Sequence, residues 1–396
     1  MDGRFRNPVI DAARGLTMAL VVYAHALEIF TTGGADGRGN HLAFEFWRMI
    51  FAFHMPAFYF VSGLVSENFA ARPPSKMLAA AMSLILLADI THLAVAPLQA
   101  VALLHQGNPL GAAAWQILSP LVLGQGFNLI VTWFLVSLAF VQIFAWIYLH
   151  ARPAVRWLIW ALLAGLYFAF QQTGQQIFQF STWGAGLVFF LMGHAVARKG
   201  LWIKEGAGVS AGASPTGLWH SSARHFLIGC AAAAAVFILY PFNHGCSVTP
   251  NEFCHLYRGT HLFAVLFVDG QLGFLPLFFL TAALGIVAVT AFAKAIQGTV
   301  MAGPTAWVGR NTLPILILNG FILVFVQHRL ATRFAFQNSQ VAALAWALAL
   351  TVLQLAALAV VKPGVDWLYG QCRLLSQAIV SRFGTVPSEA SRNLGR

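Results

Sequence analysis

Hydrophobic runs of about 20 residues recur along the whole chain, and they constrain its fold more than any other feature. Each run is long enough to cross a bilayer core of about 30 Å. Only 9% of the residues are charged, whereas a soluble domain carries about 25%. The mean hydropathy of +0.73 agrees with this. The sequence therefore predicts an all-α, polytopic membrane helix bundle.

About ten runs qualify as transmembrane helices. The first run is too long, and too closely followed by another, to be a cleaved signal peptide. Solenoid-type repeats, a low-complexity tail and long linkers are absent from the sequence, so we expect one integral domain over 1–396, with a cytoplasmic tail from about residue 362. The candidate spans are approximately 12–31, 45–66, 78–100, 127–149, 156–171, 183–198, 223–241, 272–294, 310–328 and 340–361.

The formal net charge of +11 can suggest a nucleic-acid partner, but the distribution of the charge argues against one. Sixteen Arg and Lys residues fall in segments on the same side as the N-terminus, and four fall in segments on the other side. These four are Arg38, Arg258, Arg329 and Arg333. Because cytoplasmic loops are enriched in basic residues, both termini are predicted to be cytoplasmic, in a plasma (cell inner) membrane.

The first span, "IDAARGLTMALVVYAHALEIF", contains four ionisable residues, Asp11, Arg14, His25 and Glu28. Eleven residues separate Arg14 from His25, which is about three helical turns, so the two side chains share a face about 16 Å apart along the axis. Glu28 follows His25 by three residues and can orient the imidazole. An ionisable residue inside a bilayer costs about 2.5 kcal/mol or more. The pattern predicts a polar cavity, although a histidine bonded between helices and a headgroup anchor at Asp11 remain alternatives.

The second span, "FWRMIFAFHMPAFYFVSGLVSEN", also carries polar side chains. It places Arg48 near its outer end and His54 in the middle of the membrane. Pro56 is expected to kink the helix because it removes a backbone hydrogen bond. Ser62 can bond back to the chain or line a cavity.

Two basic residues, Arg72 and Lys76, follow this span in "ENFAARPPSK". Ordinary topology signals explain them. They equally suit a site for a phosphorylated cytoplasmic ligand, where arginine grips in a bidentate way and lysine supplies a point charge.

Two cysteines, Cys246 and Cys254, share a predicted outer loop. An oxidising compartment permits a disulfide between them. His244 and His255 beside them make a metal site conceivable, but the spacing matches no standard zinc motif. The disulfide is the favoured interpretation, and no metal site is predicted.

Five segments resemble the acyltransferase-3 family of integral membrane O-acyltransferases, particularly its fucose 4-O-acetylase-like branch. The first, with a basic residue, ten spacer residues and then histidine, resembles the first helix of the family. The resemblance extends across nearly the whole chain. The five segments are "RNPVIDAARGLTMALVVYAH", "FAFHMPAFYFVSG", "TWFLVSLAF", "WGAGLVFFLMGHAVAR" and "WVGRNTLPILILNG".

The resemblance implies a ten-helix enzyme that accepts an acyl group from cytoplasmic acyl-coenzyme A. The acyl group, expected to be acetyl, passes to a hydroxyl of a carbohydrate or glycolipid at the outer face. Arg14 and His25 carry over as the functional pair. Arg72 with Lys76 approximates a cytoplasmic basic pair of the family, but the lysine lies one position beyond the usual spacing. The late motif commonly ends in histidine, and Asn319 occupies that position here.

The chemistry of these residues suits acyl transfer. A neutral imidazole at His25 is a natural base for the hydroxyl proton, and Glu28 can raise its basicity. Arg14 can hold a coenzyme phosphate or stabilise developing negative charge. Direct transfer is preferred over an acyl-histidine intermediate, which would use the same residue. Acyl-CoA is the expected co-substrate, with no permanently bound cofactor, and Ser62, Trp133 and Asn311 are candidate lining residues by motif.

A secondary transporter or flippase for a glycan or lipid-linked sugar is the alternative function. Such proteins also place charges inside the membrane, but they usually show repeated halves and broken helices near the midplane. The two halves of this sequence show no convincing similarity. The loops at 31–44, 101–126 and 242–271 are expected to contact the acceptor. The sequence determines neither the acceptor glycan nor the oligomeric state.

Overall fold

The computed structural model confirms the all-α, polytopic bundle. It describes residues 7–31, 40–66, 68–174, 176–200, 215–244, 262–327 and 339–383. In these segments, eight helices are long and apolar enough to cross a membrane, or nine if one bent pair counts as a span. The helices are α1 (Pro8–Thr31), α2 (His41–Phe51), α3 (His54–Leu64), α4 (Pro74–His105), α5 (Leu110–Leu123), α6 (Trp133–His150), α7 (Pro153–Thr173), α8 (Phe180–Arg198), α9 (Pro215–Leu239), α10 (Leu275–Ala295), α11 (Ala302–Arg310), α12 (Thr312–Ile322) and α13 (Gln340–Phe383).

The predicted second span, 45–66, is two helices of 11 residues each rather than one. The helix is interrupted at Ala52 and Phe53, between α2 and α3. Pro56 lies in the first turn of α3, where no backbone N–H is needed. Because Pro56 cannot donate to the carbonyl of Ala52, the helix ends just before the proline instead of bending at it.

The predicted span 310–328 is also interrupted. It corresponds to α11 and α12, which meet at an angle of 78°. Asn311 separates the two helices, and α12 continues into a π-helical turn over Leu323–Gln327. The residues "GRN" (309–311) of the family-like segment "WVGRNTLPILILNG" therefore lie at a break in the helix, not at the start of a straight span.

Two predicted boundaries differ from those in the structure, because a helix can also contain polar residues. Helix α13 continues past 361 to Phe383, so the predicted tail from 362 is helical that far. Lys362 and Asp366 form an i, i+4 ion pair where the hydrophobic run ends, and such pairs favour helix.

The predicted loop 101–126 contains the end of α4 and all of α5. With 14 residues, α5 is too short to cross a bilayer. His92 of α4 fixes it: Nε2 bonds the Ile117 carbonyl at 2.8 Å, while Nδ1 accepts from the Asn128 N–H at 3.0 Å.

Helix α1 lies in the centre of the bundle and packs against α2, α3, α10, α11, α12 and α13. Its crossing with α11 is a direct backbone contact. A Cβ on Gly15 would lie 1.9 Å from the Thr305 carbonyl oxygen, and a Cβ on Gly309 would lie 1.8 Å from that of Asp11. Small residues permit such an approach between membrane helices. The face of α1 that carries the ionisable residues is therefore held against other helices.

Candidate functional site

His25 lies on the wall of a small, partly open pocket, whose roughly 320 Å³ of empty space includes part of the open solvent. Met18 and Val21 accompany it on the same face of α1, at helical spacing. The other walls come from α3, from the start of α6 with the turn before it, and from α12. They are formed by Met55, Phe58, Val131, Trp133, Phe134 and Leu316. The imidazole thus lines a partly open space between four helices.

Glu28 stands beside the imidazole as the spacing predicted. Its Oε2 lies 3.4 Å from His25 Nδ1, and the two side chains are 21% and 16% exposed. A carboxylate at this position favours the tautomer that carries its proton on Nδ1. Nε2 is then unprotonated and can accept a proton from a bound molecule.

Aromatic rings support His25 from α2. Phe51 lies edge-to-face against the imidazole, with ring centroids 5.9 Å apart. On its other side, Phe51 lies 4.6 Å from the ring of His54. His54 is 3% exposed and its Nδ1 is 3.0 Å from the Ile50 carbonyl. His54 therefore lies behind Phe51 and is not among the residues that line the pocket.

Arg14 meets the break between α11 and α12. Its Nη2 donates to Thr312 Oγ1 at 2.9 Å. Asn311 is 6% exposed and donates to the Trp307 carbonyl at 2.7 Å, so its amide closes the last turn of α11. Asp11 lies 3.6 Å from Arg310, which ties the start of α1 to the end of α11.

The cavity beside His25 differs from the predicted one in its lining. Arg14, Met18, Val21 and His25 share one face of α1, but the two middle residues are apolar. Apart from His25 and the Trp133 indole, the pocket is lined by apolar side chains. This face of α1 therefore does not provide a continuous polar route from Arg14 to His25, and His25 is the ionisable residue that lines the apolar pocket.

Arg48 holds the segment 262–274 in place. Its Nη1 bonds the Glu45 carboxylate at 3.0 Å and its Nε donates to the Phe263 carbonyl at 2.8 Å. Tyr240 donates to the same carboxylate. Arg48 is 5% exposed and does not line the pocket. These contacts join α2, the end of α9 and the segment 262–274, while the predicted substrate contact of Arg48 stays a prediction.

Ser62, predicted as a lining residue, is half-buried on α3 and does not line the pocket. It adjoins Gly63, where a Cβ would lie 2.1 Å from the Phe190 carbonyl oxygen of α8. Trp133, in contrast, lines the pocket beside His25. Its indole stacks on Phe267 of the segment 262–274, with centroids 6.2 Å apart.

Arg72 and Lys76 are exposed, in the connection from α3 and the first turn of α4. The Arg72 guanidinium lies over the Phe69 ring at 5.5 Å, and Phe69 is buried against Phe190. Both charges are open to a ligand on that side of the bundle, separate from the His25 pocket.

The structure adds apolar lining residues that the sequence did not single out. Met18 and Val21 share a face with Arg14 and His25, so helical periodicity alone signals them. Met55, Phe58, Phe134 and Leu316 lie in the family-like segments, but hydropathy does not distinguish them, because lipid-facing and core positions of a membrane helix are equally apolar.

Cys246, Cys254 and His255 lie outside the described residues, as do the four basic residues of the outer segments. Within the described part of the chain, no group of three or more His, Cys, Asp or Glu side chains could hold a metal ion.

Comparison with known proteins gives one match. Residues 7–361 match the family model Acyl_transf_3, described as an acyltransferase domain. No curated protein and no solved structure matches the chain. The matched range runs from α1 into α13 and contains every residue of the site.

Proposed function

Because the chain belongs to the acyltransferase-3 family of membrane acyltransferases, we propose that it acylates a hydroxyl of a carbohydrate or glycolipid at the outer face of the plasma membrane. The donor is cytoplasmic acyl-coenzyme A, with acetyl as the acyl group. Within the family we assign it to the fucose 4-O-acetylase-like branch, on the motifs of the first two spans. Both termini then face the cytoplasm.

One observation carries this proposal: a histidine with a carboxylate partner faces an apolar, partly open pocket at the centre of the bundle. In the proposed reaction, His25 Nε2 takes the proton of the acceptor hydroxyl while that oxygen attacks the thioester carbonyl carbon. The tetrahedral intermediate then collapses, the carbon–sulfur bond breaks, and the coenzyme thiolate takes the proton from the imidazolium. Such general base catalysis contributes about 10²- to 10⁴-fold.

The apolar walls suit the acyl end of the donor. Met18, Met55 and Leu316 present flexible aliphatic side chains to the pocket. They can surround a short acyl chain and exclude water, which protects the thioester from hydrolysis.

The charged end of the donor is assigned to the basic residues. Arg14 is held by Thr312 at the α11–α12 break and serves as a fixed cation for a coenzyme phosphate. The exposed Arg72 and Lys76 serve a second phosphate on the cytoplasmic side. These are separate contacts, consistent with a long donor that has phosphates at one end and a thioester at the other.

The test compares cell-envelope glycans by mass spectrometry in cells that produce the wild-type protein, His25→Ala or His225→Ala. The wild type is expected to add acetyl mass increments, which His25→Ala abolishes. His225 is half-buried on α9, as His25 is on α1, and does not line the pocket, so His225→Ala is a matched control that retains them. Full glycan acetylation by His25→Ala would overturn the assignment of the base.

The transport alternative retains one observation in its favour, since the second span and the α11–α12 span are both broken. The discriminating assay follows an envelope glycan across proteoliposome membranes with and without acetyl-coenzyme A. Transfer of radiolabelled acetyl to the glycan supports the enzyme. Undiminished translocation without acyl donor, and without acetyl transfer, supports a transporter.

A further inference from the structure

Asn319 of α12 is a buried amide that has no hydrogen-bond partner in the described part of the chain. Its side chain is 1% exposed, and neither its Nδ2 nor its Oδ1 has a hydrogen bond within the described residues. About 90% or more of buried polar groups are hydrogen-bonded. A buried group left unpaired costs about 1–3 kcal/mol. A polar atom of a bound molecule can supply the missing partner.

The neighbours of Asn319 on α12 show where that partner lies. Leu316, one helical turn earlier, lines the His25 pocket. Gly320, the next residue, lies so close to Val131 of the pocket wall that a Cβ there would be 2.7 Å from Val131 Cγ2. Residues on both sides of Asn319 thus contact the pocket or its wall, and i, i+3 spacing puts Asn319 on the same side as Leu316.

The course of α12 beside α1 gives the level of Asn319 along the α1 axis. Thr312 begins α12 and bonds Arg14, and Leu316 lies in the pocket with His25. Helix α12 therefore ascends from the level of Arg14 towards that of His25. Asn319 is seven residues, or about 10 Å, beyond Thr312. Asn319 does not line the resting pocket; it lies one helical turn beyond Leu316, which does, so contact with a bound molecule requires the pocket to extend by that turn.

Two other amides, Gln327 and Gln354, are also buried without hydrogen bonds among the described residues. Gln354 belongs to α13, which contributes no residue to the pocket. Gln354 therefore offers a matched control for the loss of a buried, unpaired amide.

We propose that Asn319 Nδ2 donates a hydrogen bond to the thioester carbonyl oxygen of the bound acyl-coenzyme A. The proposal rests on the acyltransferase function above and adds a residue to that site. As the acceptor oxygen attacks, negative charge develops on this carbonyl oxygen inside an apolar pocket. A fixed donor is most effective where water is excluded. The amide remains neutral and takes no proton, so His25 remains the base.

The experiment measures coenzyme A release from acetyl-coenzyme A in proteoliposomes that contain a cell-envelope glycan extract. Asn319→Leu keeps the branched shape and the number of side-chain heavy atoms, and it removes both polar atoms. We expect kcat to fall about 10²- to 10³-fold, the loss found for one oxyanion donor, with little change in KM for acetyl-coenzyme A. The melting temperature is expected to stay or rise, because the resting protein loses no hydrogen bond.

Gln354→Leu is expected to keep the kcat of the wild type. Its melting temperature is expected to stay unchanged or to rise. If Asn319→Leu folds poorly, Asn319→Ala provides a smaller replacement that cannot clash. Any folded Asn319 variant with the kcat of the wild type overturns the proposal. A fall in kcat that matches a fall in folded protein also overturns it, because that result assigns Asn319 a structural role. Loss of the enzyme function itself is distinguishable, since acetyl transfer is then absent from the wild type or retained in His25→Ala.

Discussion

Gly15 of α1 and Gly309 of α11 lie backbone against backbone. A Cβ on Gly15 would be 3.1 Å from the Gly309 nitrogen, and a Cβ on Gly309 would be 2.9 Å from the Gly15 nitrogen. Arg14 immediately precedes Gly15, and the α11–α12 break immediately follows Arg310. This contact therefore fixes the distance between Arg14 and its partner Thr312, and so the position of the cation in the site.

Gly309→Ala is expected to destabilise the protein because its methyl group would meet backbone atoms that cannot rotate away. Overpacking of this kind costs about 1–3 kcal/mol, occasionally more. The melting temperature in detergent should fall, and acyl transfer should fall with it. Gly303→Ala is the control, because a Cβ on Gly303 of the same helix has no neighbour within 4 Å. Equal melting temperatures for the two variants would contradict the close crossing.

Arg48→Met tests whether the contacts of Arg48 with Glu45 and Phe263 stabilise the protein. The change removes the arginine from the Glu45 carboxylate and the donor from the Phe263 carbonyl. Breaking a fully buried ion pair costs about 3–5 kcal/mol, and the cost here is expected below that range because Glu45 is 18% exposed and keeps its bond from Tyr240. We expect a lower melting temperature and faster hydrogen exchange in 262–274.

The control for Arg48→Met is Lys362→Met, which removes an exposed i, i+4 pair with Asp366 on α13. Such a pair is worth about 0.3–0.5 kcal/mol, so its effect should be small. A stable Arg48→Met protein with a raised KM for the acceptor would instead assign Arg48 to substrate binding.

Glu28→Gln is expected to slow acyl transfer while leaving the fold intact. The carboxylate lies 3.4 Å from His25 Nδ1 and is partly exposed. A hydrogen bond to a charged group is worth about 1.5–3 kcal/mol, and each 1.4 kcal/mol is about tenfold in rate. The rate should fall about 10- to 100-fold in a radiolabelled acetyl transfer assay. Glu28→Asp, which keeps the charge on a shorter side chain, should be intermediate, and a wild-type rate for Glu28→Gln would show that the pair has no catalytic role.

Arg14→Lys is expected to raise the KM for acetyl-coenzyme A about tenfold or more, because an ammonium cannot reproduce the bidentate contacts of a guanidinium. Thr312→Val should raise the same KM by a smaller factor, since it removes only the bond that positions Arg14. Thr290→Val is the control, because the Thr290 hydroxyl bonds the carbonyl of Val287 within its own helix. An unchanged KM in Thr312→Val would show that Thr312 does not position the cation.

The sequence predicted the parts of the fold that depend on local pattern. Hydrophobic length located nine of the ten spans, counting the bent α11–α12 pair. Helical periodicity aligned Arg14 with His25 and brought Glu28 beside the imidazole. It did not predict the break at Ala52 and Phe53. The sequence predicted a kink caused by Pro56. In the structure the helix is interrupted one turn earlier, where the carbonyl of Ala52 receives no hydrogen bond from Pro56.

The sequence by itself determined that this chain is a membrane bundle whose first helix carries an arginine and a histidine on one face. Only the tertiary structure decided what that face meets: Thr312 from α12, Phe51 from α2 and an apolar pocket closed by α3 and α6. The physical reason is that periodicity and hydropathy act within one helix. Contacts between helices depend on close packing of residues far apart in the chain, and apolar side chains carry no signal that separates a pocket wall from a surface facing lipid.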